Sequence, residues 1–165
     1  MQLKKILKEA MQGELEGREL YNMAAEKVSD KKAKQVFEHL AQEEYSHYKT
    51  LQKIAEEYSA GKSITLGKLS KPETFEDAES PIFTREFKDF LKDKHFEMSA
   101  LSIGMKLELE SSRKYKEMAI MTDDKTLKDF FLYLSEWEDG HYQAFKKQID
   151  FFQENYETQN ALYRF

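Results

Sequence analysis

The stretch FLYLSEWEDGHYQAF, residues 131–145, decides how this chain is read. Phe131, Leu134 and Phe145, with Phe152 further on, mark one face of a helix, yet Glu138 and His141 fall in that same stripe. An acid and an imidazole in phase with a core need a chemical reason, because burying an ionised carboxylate is costly unless something neutralises it.

The pattern occurs twice. Sliding the second half of the chain over the first by 94 positions puts Glu14 on Glu108, Tyr21 on Tyr115, Ala25 on Ala119, Asp30 on Asp124, Phe37 on Phe131, Leu40 on Leu134, Glu44 on Glu138, His47 on His141 and Tyr48 on Tyr142. Each copy reads as two helices. The first helix of the chain carries a stripe through Leu3, Ile6, Leu7, Ala10, Met11, Gly17, Tyr21, Ala24 and Val28, with Glu14 inside it. The second runs through Ala33, Val36, Phe37, Leu40, Tyr48, Leu51, Ile54 and Tyr58, with Glu44 and His47 filling its gap. The third runs through Leu101, Gly104, Met105, Ser111, Ser112, Tyr115 and Met118 around Glu108, and the fourth contains the opening stretch. Ser29 and Asp30 offer a cap between the first two helices, and MTDDK, residues 121–125, makes the second tight turn.

Between the copies, residues 61–83 (GKSITLGKLSKPETFEDAESPIF) hold both prolines and two of the six glycines and read as a connection, followed by a short helix over about 84–92. Two hairpins joined by one long crossover predict an all-α four-helix bundle: hairpin 1 over about 1–59, crossover 60–98, hairpin 2 over 99–155, and a tail at 156–165 where the apolar phase fades.

The spacing also predicts a meeting point. In an antiparallel hairpin, residues equidistant from the turn lie at equal height; Glu14 and Glu44 are centred on Ser29, and Glu108 and Glu138 on Asp123, both inside the expected turns. Each glutamate is then about 22 Å from its turn at about 1.5 Å per residue. Histidines three residues after Glu44 and Glu138 reach the same cluster from the adjacent turn. Four carboxylates and two imidazoles gathered this way are balanced by two divalent cations, and this is the donor set of di-iron and di-manganese carboxylate bundles. A single Glu-x-x-His would carry little weight. Two of them in matched register, each 30 residues after a stripe glutamate, assign Glu14, Glu44, His47, Glu108, Glu138 and His141 as metal ligands.

Around these, Tyr21 and Tyr115 each follow a ligand glutamate by two turns, where a phenol would either donate to a ligand carboxylate or sit as a satisfied core aromatic. Gly17 and Ser111, three after a ligand glutamate, leave room for ions, a small substrate or a close helix contact. Trp137 reads as packing ahead of an electron relay, and His39 and His95 as structural or surface groups.

Bulk composition narrows the rest. The chain has 165 residues, enough for one domain that hides roughly two-thirds of its extended surface. Its net charge of −5, with basic and acidic residues interleaved, argues against a nucleic-acid partner, and no apolar run is long enough to cross a membrane. A cytoplasmic location is expected. The absence of cysteine excludes a thiol nucleophile, an iron–sulfur centre and a rubredoxin-like module from this sequence. Carboxylates with imidazole suit iron first and manganese second.

GELEGRELY (13–21), EEYSH (43–47), LELESSRKY (107–115) and EDGH (138–141) resemble the ferritin-like superfamily, and within it the rubrerythrin-type di-iron proteins. The resemblance implies a single ferritin-like domain whose six ligands hold two irons, with Glu44 and Glu138 bridging or chelating. It also implies peroxide reduction or ferroxidase chemistry in a homodimer or larger assembly. Where rubrerythrins typically carry a further glutamate on the third helix, this chain has Ser111; where bacterioferritins bind haem through a methionine, it has Tyr45, so no haem is expected. The functional expectation is an oxidoreductase that reduces hydrogen peroxide or dioxygen with electrons from a separate protein. The alternatives are a ferroxidase serving iron storage or detoxification, and a bundle whose metal is only structural.

Overall fold

The computed structural model describes residues 2–28, 31–64 and 95–162. These form four helices, α1 (Gln2–Lys27), α2 (Lys31–Ser59), α3 (His95–Met121) and α4 (Lys125–Leu162), with no strand among the described residues. The fold is an all-α four-helix bundle, in which α1 packs on α2, α3 packs on α4, and α1 also lies against α3.

Local chemistry sets the helix ends. The Asp124 carboxylate accepts the backbone N–H of Leu127 at 3.0 Å and so caps α4, while the Thr122 hydroxyl accepts the N–H of Asp124 at 3.3 Å. At the far end of α2, Gly61 adopts φ 65°, a left-handed conformation that costs a Cβ-bearing residue free energy. Around it, Lys62 N–H donates to Glu57 O at 2.9 Å and Gly61 N–H to Tyr58 O at 3.1 Å, the paired bonds of a glycine-terminated helix. The cap expected at Ser29 and Asp30 and the short helix expected over 84–92 lie outside the described residues.

Two helix boundaries differ from expectation. The second hairpin begins at His95, four residues early, and α4 runs 38 residues to Leu162, through the segment read as a tail. Residues 156–162 contain neither Gly nor Pro, so the helix propagates after its apolar phase is lost.

The apolar core is in two parts. One cluster, at the α1–α2 turn, joins Tyr21, Ala24, Val28, Phe37, Leu40, Leu101 and Phe145 with their neighbours. The other, at the α3–α4 turn, joins Leu7, Leu51, Ile54, Met118, Leu127, Phe130, Phe131 and Leu134. Tyr58, placed in the α2 stripe by its spacing, is 37% exposed at the helix end. Between the clusters, in the middle of the bundle, lies a layer of buried polar residues.

Candidate metal centre

All four helices contribute to that layer: Glu14 from α1, Glu44 and His47 from α2, Glu108 from α3, and Glu138 and His141 from α4. The four glutamates are 1–3% exposed, His47 is 6% and His141 is 0%. The equal heights inferred from the turn midpoints are the heights at which the side chains meet.

They meet as two overlapping groups. In Glu14, Glu44, His47 and Glu138, one donor atom from each residue lies within 4.8 Å of the others, and the same holds for Glu44, Glu108, Glu138 and His141. Glu44 and Glu138 belong to both. This is the geometry of two adjacent cation positions with two carboxylates between them. His47 presents Nδ1, at 3.3 Å from Glu14 Oε2 and 3.4 Å from Glu138 Oε1. His141 also presents Nδ1, at 3.6 Å from Glu108 Oε1, 3.6 Å from Glu138 Oε2 and 3.9 Å from Glu44 Oε1.

The donors fit a metal on their own evidence. Glu14 Oε2, Glu44 Oε1, His47 Nδ1 and both Glu138 oxygens are buried without a hydrogen-bond partner among the described residues. Buried polar atoms are rarely left so in a native fold, because each orphan costs about 1–3 kcal/mol and more if charged. Divalent cations would satisfy these atoms together.

The protonation pattern shows the same strain. Burial, then the charge of Glu138, pushes Glu14 and Glu44 well above the usual carboxylate range. Burial and Glu138 likewise raise Glu108 to about 8. Burial acts on Glu138 in the same direction, but contacts with His141, His47 and Glu108 outweigh it and hold that carboxyl below its ordinary value. Both histidines are raised: burial disfavours their charged forms, but His47 is held by Glu138, and His141 by Glu108, Glu138 and Glu43. Without metal, protons do the work of neutralising the layer.

The tyrosines act across the hairpins. Tyr21 donates its hydroxyl to Glu108 and Tyr115 donates to Glu14, each bond running from one half of the chain to the other. Both phenols are buried core aromatics, and each has its hydroxyl satisfied by a glutamate of the cluster. Burial and the neighbouring charge of Glu108 raise the Tyr21 hydroxyl well above its ordinary range, which keeps it a donor. Gly17 is small for a reason the sequence left open: a Cβ there would stand 3.1 Å from Glu44 Oε2 and 3.3 Å from Leu107 Cδ2, so its space is taken by the shared carboxylate. At Gly104 a Cβ would meet the Tyr21 hydroxyl at 3.1 Å. His39 is a surface group paired with Glu43 at 3.6 Å, and the side chain of His95 is not described.

One site residue is invisible in the stripe pattern. Glu43 reaches across from α2 to His141, its Oε2 lying 3.1 Å from Nε2. Adjacent to a ligand and one step off the apolar face, it reads as an ordinary surface acid. The signal that exposes it is the repeat itself, whose other copy has Trp137 in the matching place.

Comparison with known proteins gives this layer a context. The rubrerythrin family model matches residues 5–149. The chain belongs to the rubrerythrin family. A search of curated proteins found no match. Among solved structures, a hypothetical protein from Pyrococcus furiosus is similar at 24% identity with a TM-score of 0.63, covering 92% of this chain and 90% of that one, a likeness in fold. Membership of the rubrerythrin family implies a ferritin-like di-iron carboxylate domain, and the buried carboxylate and histidine layer is a group of residues that could hold metal. On α3, Ser111 is half-buried and Glu110 is turned outward to Lys106 at 3.9 Å.

Proposed function

We propose that this chain is a non-haem di-iron oxidoreductase that reduces hydrogen peroxide or dioxygen, taking electrons from a separate donor protein. The observation that carries the reading is the pair of buried donor groups sharing Glu44 and Glu138. In it Glu14, Glu44, His47, Glu108, Glu138 and His141 are the ligands and Tyr21 and Tyr115 the supporting groups. Two irons held there would supply the two electrons that convert peroxide and two protons to water, or dioxygen and two protons to peroxide. Manganese would suit the same donors.

The chain's own contribution is preparation. Tyr21 and Tyr115 hold Glu108 and Glu14 in place by their hydroxyl hydrogens. The apolar clusters above and below keep bulk water from the layer, which protects reactive species. A closed layer of this kind favours a small oxidant over an organic substrate. A groove of about 750 Å³ between the outer faces of α1 and α3, lined by Ile6, Gln12, Gly13, Met118 and Met121 among others, contains none of the six ligands. Ile103, Ile120 and Met121 are exposed on α3, which supports association into a homodimer or larger assembly. A haem is not part of the proposal, since Tyr45 stands where the methionine that binds haem in bacterioferritins would be.

Ser111 favours a second reading, in which the same site oxidises Fe(II) for storage or detoxification. Anaerobic loading with Fe(II), then stopped-flow mixing with peroxide or dioxygen, separates the two. Rapid oxidation by peroxide and slow oxidation by dioxygen is the expected result. The reverse order selects the ferroxidase, and metal-dependent melting without turnover would leave only a structural role.

A further inference from the structure

The two halves of the site are not equivalent. The 94-residue repeat places Glu43 and Trp137 at matching positions, each one residue before a shared glutamate and four before a histidine. In space Glu43 reaches the histidine of the opposite hairpin, while Trp137 lies edge-on both to His47 of the opposite hairpin and, at 6.5 Å, to His141 of its own. Glu43 Oε2 lies 3.1 Å from His141 Nε2. Trp137 meets the His47 ring edge-on, with centroids 5.5 Å apart and planes at 87°. An indole has no acceptor for an imidazole N–H, and no hydrogen bond reaches His47 Nε2 among the described residues. The His47 side chain is 8% exposed, whereas that of His141 is 0% exposed. The tyrosines, by contrast, are matched: Tyr21 on Glu108, Tyr115 on Glu14. The halves therefore differ in what holds the outer nitrogen of each histidine, and not in the tyrosine bonds to the glutamates.

A carboxylate on the outer nitrogen of a ligating histidine fixes the ring, directs the other nitrogen's lone pair at the metal and strengthens it as a donor; losing such a partner typically costs about 10–100-fold in metal affinity. A histidine whose outer nitrogen has no such partner is fixed on that side only by ring contacts, and ordering it for the metal costs freedom that weakens binding. We infer that the two positions load in sequence: the Glu44–Glu108–Glu138–His141 position fills first and tightly because Glu43 positions His141, and the Glu14–Glu44–His47–Glu138 position holds the second, more exchangeable ion. Glu43 is a positioning residue. It touches a ligand and not the metal. The inference rests on the two-ion reading of the site.

The test is a Mn(II) titration of the 165-residue chain, with stepwise affinities from calorimetry and the state of the ions from electron paramagnetic resonance. At one equivalent, wild type is expected to show isolated protein-bound Mn(II); the spin-coupled pair should grow in only with the second equivalent. Glu43→Ala is expected to weaken the first step about 10–100-fold and bring the two steps together. Glu43→Gln, which keeps an acceptor oxygen, should restore most of the separation. His39→Ala, which removes the other partner of Glu43, should leave both steps as in wild type. His47→Ala should retain one tight ion, and His141→Ala should lose the tight step. Coupled pairs already dominant at one equivalent, or a first step indifferent to Glu43→Ala, would overturn sequential loading while leaving the two-ion site intact. Failure of wild type to bind Mn(II) or Fe(II) at all would overturn both.

Discussion

The apolar ends of the bundle and the acidic layer between them are built by opposite rules. At the ends, Leu51, Leu127, Phe37 and Phe131 are fully buried among like neighbours and stabilise the fold without help. In the layer, four glutamates and two histidines are just as deeply buried, and orphaned oxygens and raised carboxyl pKa values mark a region in conflict with its surroundings. The comparison teaches that the ends hold the layer in place against its own preference. The layer is ready for cations because the rest of the molecule will not let it relax.

The sharpest way to break that contrast is to make the layer resemble the ends. Glu44→Met removes a carboxylate common to both donor groups and is expected to abolish binding of both ions, read as metal per chain by elemental analysis. The metal-free variant should be unchanged or more stable by about 1–4 kcal/mol, as when buried charges elsewhere give way to apolar groups; a marked loss of metal-free stability would contradict the comparison.

The converse change attacks an end. Leu51→Ala should cost about 2–5 kcal/mol in denaturant unfolding of metal-free and metal-loaded protein alike, with metal per chain unaltered.

A third experiment varies the protons. Glu108 titrates near 8 in the fold against an ordinary 4.5, so between those values the folded state holds more protons than the unfolded chain. Glu14, Glu44 and the two histidines are shifted the same way, while Glu138, shifted oppositely, contributes only at lower pH. Stability of the metal-free protein should therefore fall as pH climbs from 4.5 to 8, by about 1.4 kcal/mol per pH unit for each extra proton held. Bound cations take the protons' place, so the gap in melting temperature between loaded and metal-free protein should widen from about pH 5.5 to 8. A gap independent of pH would mean that the layer is not neutralised by protons.

The smallest effect compares two glycines of α1. A Cβ at Gly13 meets nothing within 4 Å, so Gly13→Ala should stabilise the helix by about 1 kcal/mol without touching metal binding. At Gly17 the same change presses on Glu44, and any helical gain should be offset by weaker metal binding, measured by the same titration.

Much of this was legible in the sequence because the repeat and the apolar stripes carry independent information. The stripes placed the helices, and the midpoints of Glu14 with Glu44 and Glu108 with Glu138 set their heights in the bundle. The end of α4 was not legible. Apolar phase reports burial, and a helix continues through residues 156–162, which lack a clear apolar stripe and contain no Gly or Pro to stop it. Glu43 escaped for a different reason. Its role depends on reaching the opposite hairpin, and periodicity along one helix says nothing about partners across a bundle. Gly17 was seen to need space, but only the packing of α2 shows that Glu44 uses it.

The exchanged tyrosine bonds carry a consequence for how the halves depend on each other. Tyr21 to Glu108 and Tyr115 to Glu14 are reciprocal, residue i to j and j to i, which is the signature of an isologous two-fold interface between identical subunits. Here that interface is folded within a single polypeptide. Neither hairpin completes a cation position alone, so docking of one hairpin on the other and assembly of the binding station are one event. A covalent tether leaves the two halves free to differ, and Glu43 in one copy where the other has Trp137 is what that freedom allows.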